Sequence, residues 1–288
     1  MTVVAILGAN GVYGRWLTPR LMQAGYSVRA IVRRPEAAGV ATACGADVRI
    51  ADIFDEASLI AALEGCDIGI NLATSLPGPS GRGNYEENDR VRRDGAPIWV
   101  SACGKAGVTR VIQQSIAMLN ASGSDAWSDE DTTFAVDDSV AGRAYSASLA
   151  MEDAIRASDL DWIILRGALF YGPGTGFDDD WFARARDGKL RLPGDGSDYV
   201  SLLHVSDMAA ATTAALQRWP SRQTLIIADD EPAQWRDVFG FIAKSVGGPA
   251  PAPGGRAGFP SFRVRNARAK AALNWTPFYT TYRAGLIR

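Results

Sequence analysis

A chain of 288 residues is long enough for one large domain or a large domain with a smaller one. Its 47% hydrophobic content argues against disorder, and a formal net charge of −2 provides no electrostatic footprint for nucleic acid or an anionic membrane. The three cysteines, Cys44, Cys66 and Cys103, form no CxxC and are expected reduced; one histidine cannot build a zinc set. The chain opens directly into TVVAIL, with no basic segment ahead of it and no apolar run approaching the ~20 residues that span a bilayer. A cytoplasmic protein is the expectation, with no nucleic acid or membrane as partner.

Thr2–Leu7 is a β-branched apolar run that predicts a buried strand. GANGVYG follows, and Arg15–Ala24 then has helical spacing. Further strands are predicted at Val28–Val32, Asp47–Ala51, Asp67–Leu72, Val111–Gln114, Trp162–Leu165 and Leu225–Ala228. Helical stretches separate them, including a long one from about Asn88 to Ala106 and one carrying YSASL. This alternation predicts an α/β fold, a Rossmann-like doubly wound parallel sheet with helices on both faces. SLPGPSGRGN (Ser75–Asn84) and GGPAPAPGG (Gly247–Gly255) predict loops. Asn120–Gly142 is long and acidic, and predicts a solvated loop, though loops of that length beside a site are often lids.

GANGVYG sets Gly8, Gly11 and Gly14 at a strand-to-helix turn, with Asn10, Val12 and Tyr13 between them. Glycines there permit a tight turn and close approach of a pyrophosphate, which the amides and positive dipole end of the helix then bind. A dinucleotide site is the expectation. An acidic residue at the end of the second strand would hold an adenosine ribose; this chain has Arg33 and Arg34. Guanidinium groups suit a 2′-phosphate, so NADP is favoured over NAD. Asp52 and Ile53, after the third strand, fall near the adenine, and Leu72 and Ala73, after the fourth, on the adenosine side.

Together these residues resemble the short-chain dehydrogenase/reductase superfamily, in its extended or atypical branch of NAD(P)-dependent epimerases, dehydratases and reductases. The resemblance runs through GANGVYG, ADIFDEASLIAALEGCDIGINLA, RVIQQSIAML, YSASLAMEDAIRASDLDWIILRGALFYGPG, GDGSDYVSLLHVSDMAAA and NARAKAALNWTPFYTTYRAGL. It implies a dinucleotide-binding domain over 1–172, a smaller substrate-binding region from 173–200 and 229–288, and a return to the sheet over 201–228. It also implies Tyr145 as general acid or base, Ser115 as the residue holding the reacting oxygen, and Leu169 near the nicotinamide. The family's lysine falls on Leu149 and is absent. Arg156 shares the helical face of Tyr145, but eleven residues along is ~16 Å away. Arg143, two residues away, points elsewhere; a water or a residue from a distant loop stays open as a substitute. A tyrosine without that lysine is poorer as a base than as an acid.

The leading expectation is therefore an NADP-dependent reductase of a carbonyl or related group on a small organic metabolite. An epimerase or dehydratase of a nucleotide sugar, and a non-catalytic NADP-binding regulator, are the alternatives, and a homodimer is left open. His204 is expected to be a structural hydrogen-bonding residue. Trp127, Trp181 and Trp235 are expected in packing, and Arg184, Arg186 and Arg191 on a solvated face.

Overall fold

The structure is a computed structural model; it describes every residue except 77–82, 134–136, 138, 257 and 288. Part of SLPGPSGRGN and part of the 120–142 segment therefore lie outside the described residues.

Seven parallel strands form the central sheet: β1 (Val3–Leu7), β2 (Ser27–Val32), β3 (Asp47–Ile50), β4 (Ile68–Asn71), β5 (Arg110–Ile116), β6 (Asp161–Gly167) and β7 (Gln223–Ile227). Their order is β7-β6-β5-β4-β1-β2-β3. Every strand read from the sequence is present, with ends shifted by a residue or two. The continuous apolar runs follow from burial on both faces. In β1, Val4 and Ile6 join one apolar cluster with Leu17, Leu21 and Met208, while Ala5 and Leu7 join a second with Leu59, Leu63 and Trp99.

Helix α1 (Val12–Gln23) follows β1, and α2 (Glu56–Leu63) follows β3. The long helix after β4 starts at Tyr85, where the Asn84 side chain accepts from the Glu87 amide, and ends as α3 (Ala96–Lys105). It passes through a π-helical turn at Val91–Gly95, just before Pro97. Proline has no amide proton to bond back, so the ladder is re-spaced there. One consequence is that Arg92 is turned inward and buried. Helix α4 (Val140–Arg156) carries YSASL, and α5 (Val205–Arg218) precedes β7.

Beyond β6, besides α5 and β7, the chain forms short strand pairs and the helices Phe177–Arg186, Trp235–Ser245, Ala267–Leu273 and Tyr282–Gly285. Trp181, Trp235 and Phe239 pack there, with the two tryptophan rings 5.9 Å apart and edge-on. Two loop expectations are corrected. Ala252–Gly255, inside GGPAPAPGG, pairs with Arg191–Pro193. The described part of the 120–142 segment is anchored: Trp127–Ser128 pairs with Arg263–Val264, and the buried Glu130 carboxylate accepts from the Ile226 amide of the edge strand. That backbone group would otherwise be an exposed edge donor. Among the described residues no helix is long and apolar enough to cross a membrane.

Candidate active site

The dinucleotide cleft is built where β1 ends. Gly8 adopts φ +83°, and a side chain on it would come within 3.0 Å of the Leu72 backbone. Gly14 has a different reason: a Cβ there would lie 2.5 Å from the Ala9 carbonyl oxygen, so only glycine lets α1 pack this close to the loop. Gly11 is the residue preceding α1, and its carbonyl accepts the first helical bond, from the Arg15 amide. The amides of Val12, Tyr13 and Gly14 precede that bond, as a phosphate-binding helix terminus requires.

A cavity of about 140 Å³ opens along this loop. Gly8, Asn10, Gly11, Arg33, Arg34, Ile53, Leu72 and Ala73 line it, joined by Thr74, Ser75 and Val91, which the sequence reading missed. The other residues read as cofactor-binding do not line it. Tyr13 is buried with its hydroxyl against Thr212 Oγ1 of α5. Asp52 accepts from the Phe54 amide and steadies a local turn. Leu169 is half-buried and bonded through its amide to the Ser201 carbonyl. Arg33 and Arg34 are exposed at the mouth, and Arg34 is only loosely paired with Glu36 at 3.6 Å. The chemistry of this lining suits a dinucleotide: glycine backbone at the loop, a helix terminus with free amides and two exposed guanidinium groups at the mouth.

Tyr145 lies in the second turn of α4, whose start is capped by Ser139 Oγ accepting from the Gly142 amide at 3.0 Å. The tyrosine is 3% exposed; burial, then the charge of Asp137, pushes its phenol well above the ordinary value. Leu149, one turn on, is half-buried.

Ser115 lies near the end of β5 and meets α4 at Glu152, two turns beyond Tyr145. Its hydroxyl donates to Glu152 Oε1 at 2.5 Å. The same carboxylate receives Arg166 Nε at 2.9 Å and Nη2 at 2.6 Å, and Arg156 Nη2 at 2.5 Å. Arg166 Nη1 continues to Asn120 Oδ1 at 2.8 Å. Burial alone would raise the Glu152 carboxyl, but Arg166, Ser115 and Arg156 together hold it below the usual range. Arg156, too distant along the helix to serve Tyr145, is spent here.

A second buried arginine adjoins the tyrosine helix. Arg92 Nη1 donates to Ser148 Oγ at 2.8 Å and reaches the Ala144 carbonyl at 3.5 Å. Its pKa is lowered to about 10, chiefly by burial, so it remains a cation at neutral pH. The sequence signals for this polar layer were the charged residues inside apolar surroundings: Arg166 ending WIIL, and Glu152 seven positions from Tyr145 on the same helical face.

His204 precedes α5 and its ring accepts from the Ser206 amide at 3.2 Å, a structural role. Arg184, Arg186 and Arg191 are exposed, with Arg184 paired to Asp180 on its own helix.

The NAD(P)H-binding family model matches residues 8–179. The chain is 31% identical to a 3-diazoavenalumate denitrifying reductase of a Streptomyces species, over 99% of both chains. It is 29% identical to the ceramide reductase of Caulobacter vibrioides, over 85% of this chain and 71% of that one. A UDP-glucose 4-epimerase of Thermotoga maritima, solved with UDP-glucose, superposes with a TM-score of 0.82 at 19% identity, covering 99% of this chain and 96% of that chain. The loop, sheet and helix order described above are thus those of the NAD(P)H-binding family to which this chain belongs.

Proposed function

We propose that this NAD(P)-dependent enzyme is an NADPH-dependent reductase that delivers hydride to an electrophilic centre of a small organic acid. The observation that carries this reading is the fate of the proton-handling residues. The Ser115 hydroxyl has one proton, and it lies on Glu152 Oε1. Leu149 stands where the resemblance implies a lysine. Burial keeps the Tyr145 phenol protonated, so it is an acid and a poor base. This set favours reduction over oxidation, and so disfavours the epimerase reading, in which the substrate must first be oxidised.

The chemistry a bound reduced nicotinamide supplies is hydride. Acceptors differ in what else they ask of the protein. A carbonyl needs a proton on oxygen, which Tyr145 can donate. A diazonium carbon needs none: the new C–H bond replaces the C–N bond, and dinitrogen leaves with that bond's electron pair. The full-length relative is named for a diazo substrate, so this second class is our preferred acceptor. Gly8, Gly11 and the start of α1 bind the pyrophosphate in this reading, and Arg33 and Arg34 take the 2′-phosphate.

The test is NADPH oxidation with an arenediazonium carboxylate and, separately, a set of ketones and aldehydes, each against a protein-free control. Protein-dependent oxidation matched one-to-one by released dinitrogen is expected. Conversion of UDP-glucose without net NADPH loss, and no turnover of either acceptor class, would replace this reading with the epimerase.

A further inference from the structure

A second cavity, of about 460 Å³, opens at the β7 edge of the sheet. It shares no lining residue with the dinucleotide cleft, which lies over β1, β2 and β4. Four arginines line it: Arg156 from the last turn of α4, Arg166 from β6, Arg222 just before β7, and Arg268 from the C-terminal segment. Thr224 adds a hydroxyl, and Glu130 and Asp131 supply the acidic lining.

These cations are unequally committed. Arg166 is fully engaged by Glu152 and Asn120. Arg156 divides itself among Glu152, Asp153 and Thr224 Oγ1. Arg268 lies 3.5 Å from the buried Glu130 Oε2 and is held by Asp131 Oδ2 at 2.6 Å; the Asp131 carboxylate is 76% exposed, so that second pairing is one that solvent weakens and an entering ligand can replace. Arg222 is exposed and, among the described residues, has no ion pair and no side-chain hydrogen bond. Its backbone holds φ +55°, in the left-handed region that favours glycine, yet an arginine stands there.

We propose that this cavity is a binding site for a small oxyanion, the phosphate or carboxylate group of a metabolite. Arg222 and Arg268 grip it through their forked donors, with Thr224 Oγ1 and Arg156 alongside. Glu152, Glu130 and Asp131 already counter Arg166, Arg156 and Arg268, which leaves Arg222 as the cation of the recess without a counter-charge among the described residues; an oxyanion supplies it and matches the fork bidentately. The site stands apart from hydride transfer and does not depend on which acceptor the enzyme reduces.

The test is calorimetric titration of the full chain, pre-saturated with NADPH to block the dinucleotide cleft, with inorganic phosphate and with succinate. Sodium chloride at matched ionic strength is the control. Saturable heat with either anion and none with chloride is expected; phosphate alone points to a phosphoester ligand, succinate alone to a carboxylate. Arg222→Ala is at an exposed position and should keep the fold, retain NADPH binding and weaken the anion on the order of tenfold or more. Thr224→Val should weaken it less. The proposal is overturned by heat no different from chloride, or by anion affinity unchanged in Arg222→Ala. It is equally overturned if Arg33→Ala/Arg34→Ala abolishes anion binding while Arg222→Ala does not.

Discussion

Ser115 Oγ stands 2.5 Å from Glu152 Oε1, which places the serine's proton on a carboxylate that Arg166 and Arg156 already hold. A residue implied to face the substrate is thereby tied into the layer beneath α4. The carboxylate is 0% exposed, and its three partners come from β5, β6 and the end of α4 itself. This is the joint between the tyrosine helix and the sheet.

Glu152→Gln should therefore be strongly destabilising. Breaking a buried pair from one side leaves Arg166 without its counter-charge, at a cost of about 3–5 kcal/mol. The pH dependence has a definite sign. The folded carboxyl sits below its unfolded value, ~4.3 for Glu, so its contribution is complete above that pH and is lost as pH falls through the lower folded value. Urea melts of both proteins should show a gap at neutral pH that closes in acid. A constant gap would mean that Glu152 acts by shape alone.

Asp229 gives the opposite sign. It is 1% exposed; burial pushes its carboxyl up to about 9, with Asp230, Glu231 and Asp207 adding repulsion, and Oδ2 has no hydrogen-bond partner among the described residues. The folded state keeps a proton that the unfolded chain releases near pH ~3.9, so this residue costs stability as pH rises from there to about 9. Asp229→Asn retains an acceptor for the Glu231 amide and does not ionise. The variant should gain on wild type by up to about 1.4 kcal/mol per pH unit, read from urea midpoints at about pH 5 and 8. Parallel pH profiles would show that Asp229 is ionised in the folded protein.

The sheet was legible because each of its strands is an apolar run closed by turn residues, and the phosphate loop because three glycines follow the first of them. The cleft was legible only in part. Residues adjoining strand ends, such as Ile53 and Leu72, could be placed, whereas Val91 enters from a helix whose direction depends on the turn before Pro97. Long-range charge pairing was not legible at all. Nothing in the spacing of Ser115, Glu152 and Arg166 announces one network, because register between β5, β6 and α4 decides it. The acidic 120–132 stretch misled for a related reason: Glu130 is charged, yet its oxygens serve a strand-edge amide and Arg268.

Arg33 and Arg34 should set cofactor choice. Both are exposed beside the cleft and weakly committed, so turning toward a 2′-phosphate costs little. Changing both to alanine should remove about 1–3 kcal/mol of the preference for NADPH over NADH, the size of charge-assisted bonds. Fluorescence titration of both cofactors measures it; equal affinities in the unmodified protein would contradict the assignment.

The two loop glycines should fail differently. Gly11 has φ −65°, and a Cβ there meets only the Gly8 carbonyl, at 3.2 Å. Gly11→Val should keep the circular dichroism spectrum and lose cofactor binding. Gly14→Ala drives a Cβ into the Ala9 carbonyl and should also cost stability, about 1–3 kcal/mol as overpacking does. Unchanged cofactor affinity in a folded Gly11→Val would remove the loop from the binding site.

Tyr145 offers the sharpest separation of acceptor classes. Its phenol is buried and held protonated, with Leu149 rather than a cation one turn away. If the enzyme reduces carbonyls, the proton must come from this group, and Tyr145→Phe should lower turnover by roughly 10²–10⁴-fold. If hydride goes to a diazonium carbon, no proton is consumed, and the same variant should turn over close to wild type while keeping its NADPH affinity. Leu149→Lys extends the argument. A lysine in that half-buried position, where it is tolerated, lowers the phenol pKa and should speed alcohol oxidation, which needs a base, while leaving diazonium reduction unchanged. The measurement is steady-state turnover of the three proteins with both acceptor classes and, in reverse, with NADP and alcohols. Equal loss on both acceptor classes in Tyr145→Phe would show that the tyrosine positions the substrate rather than supplying a proton.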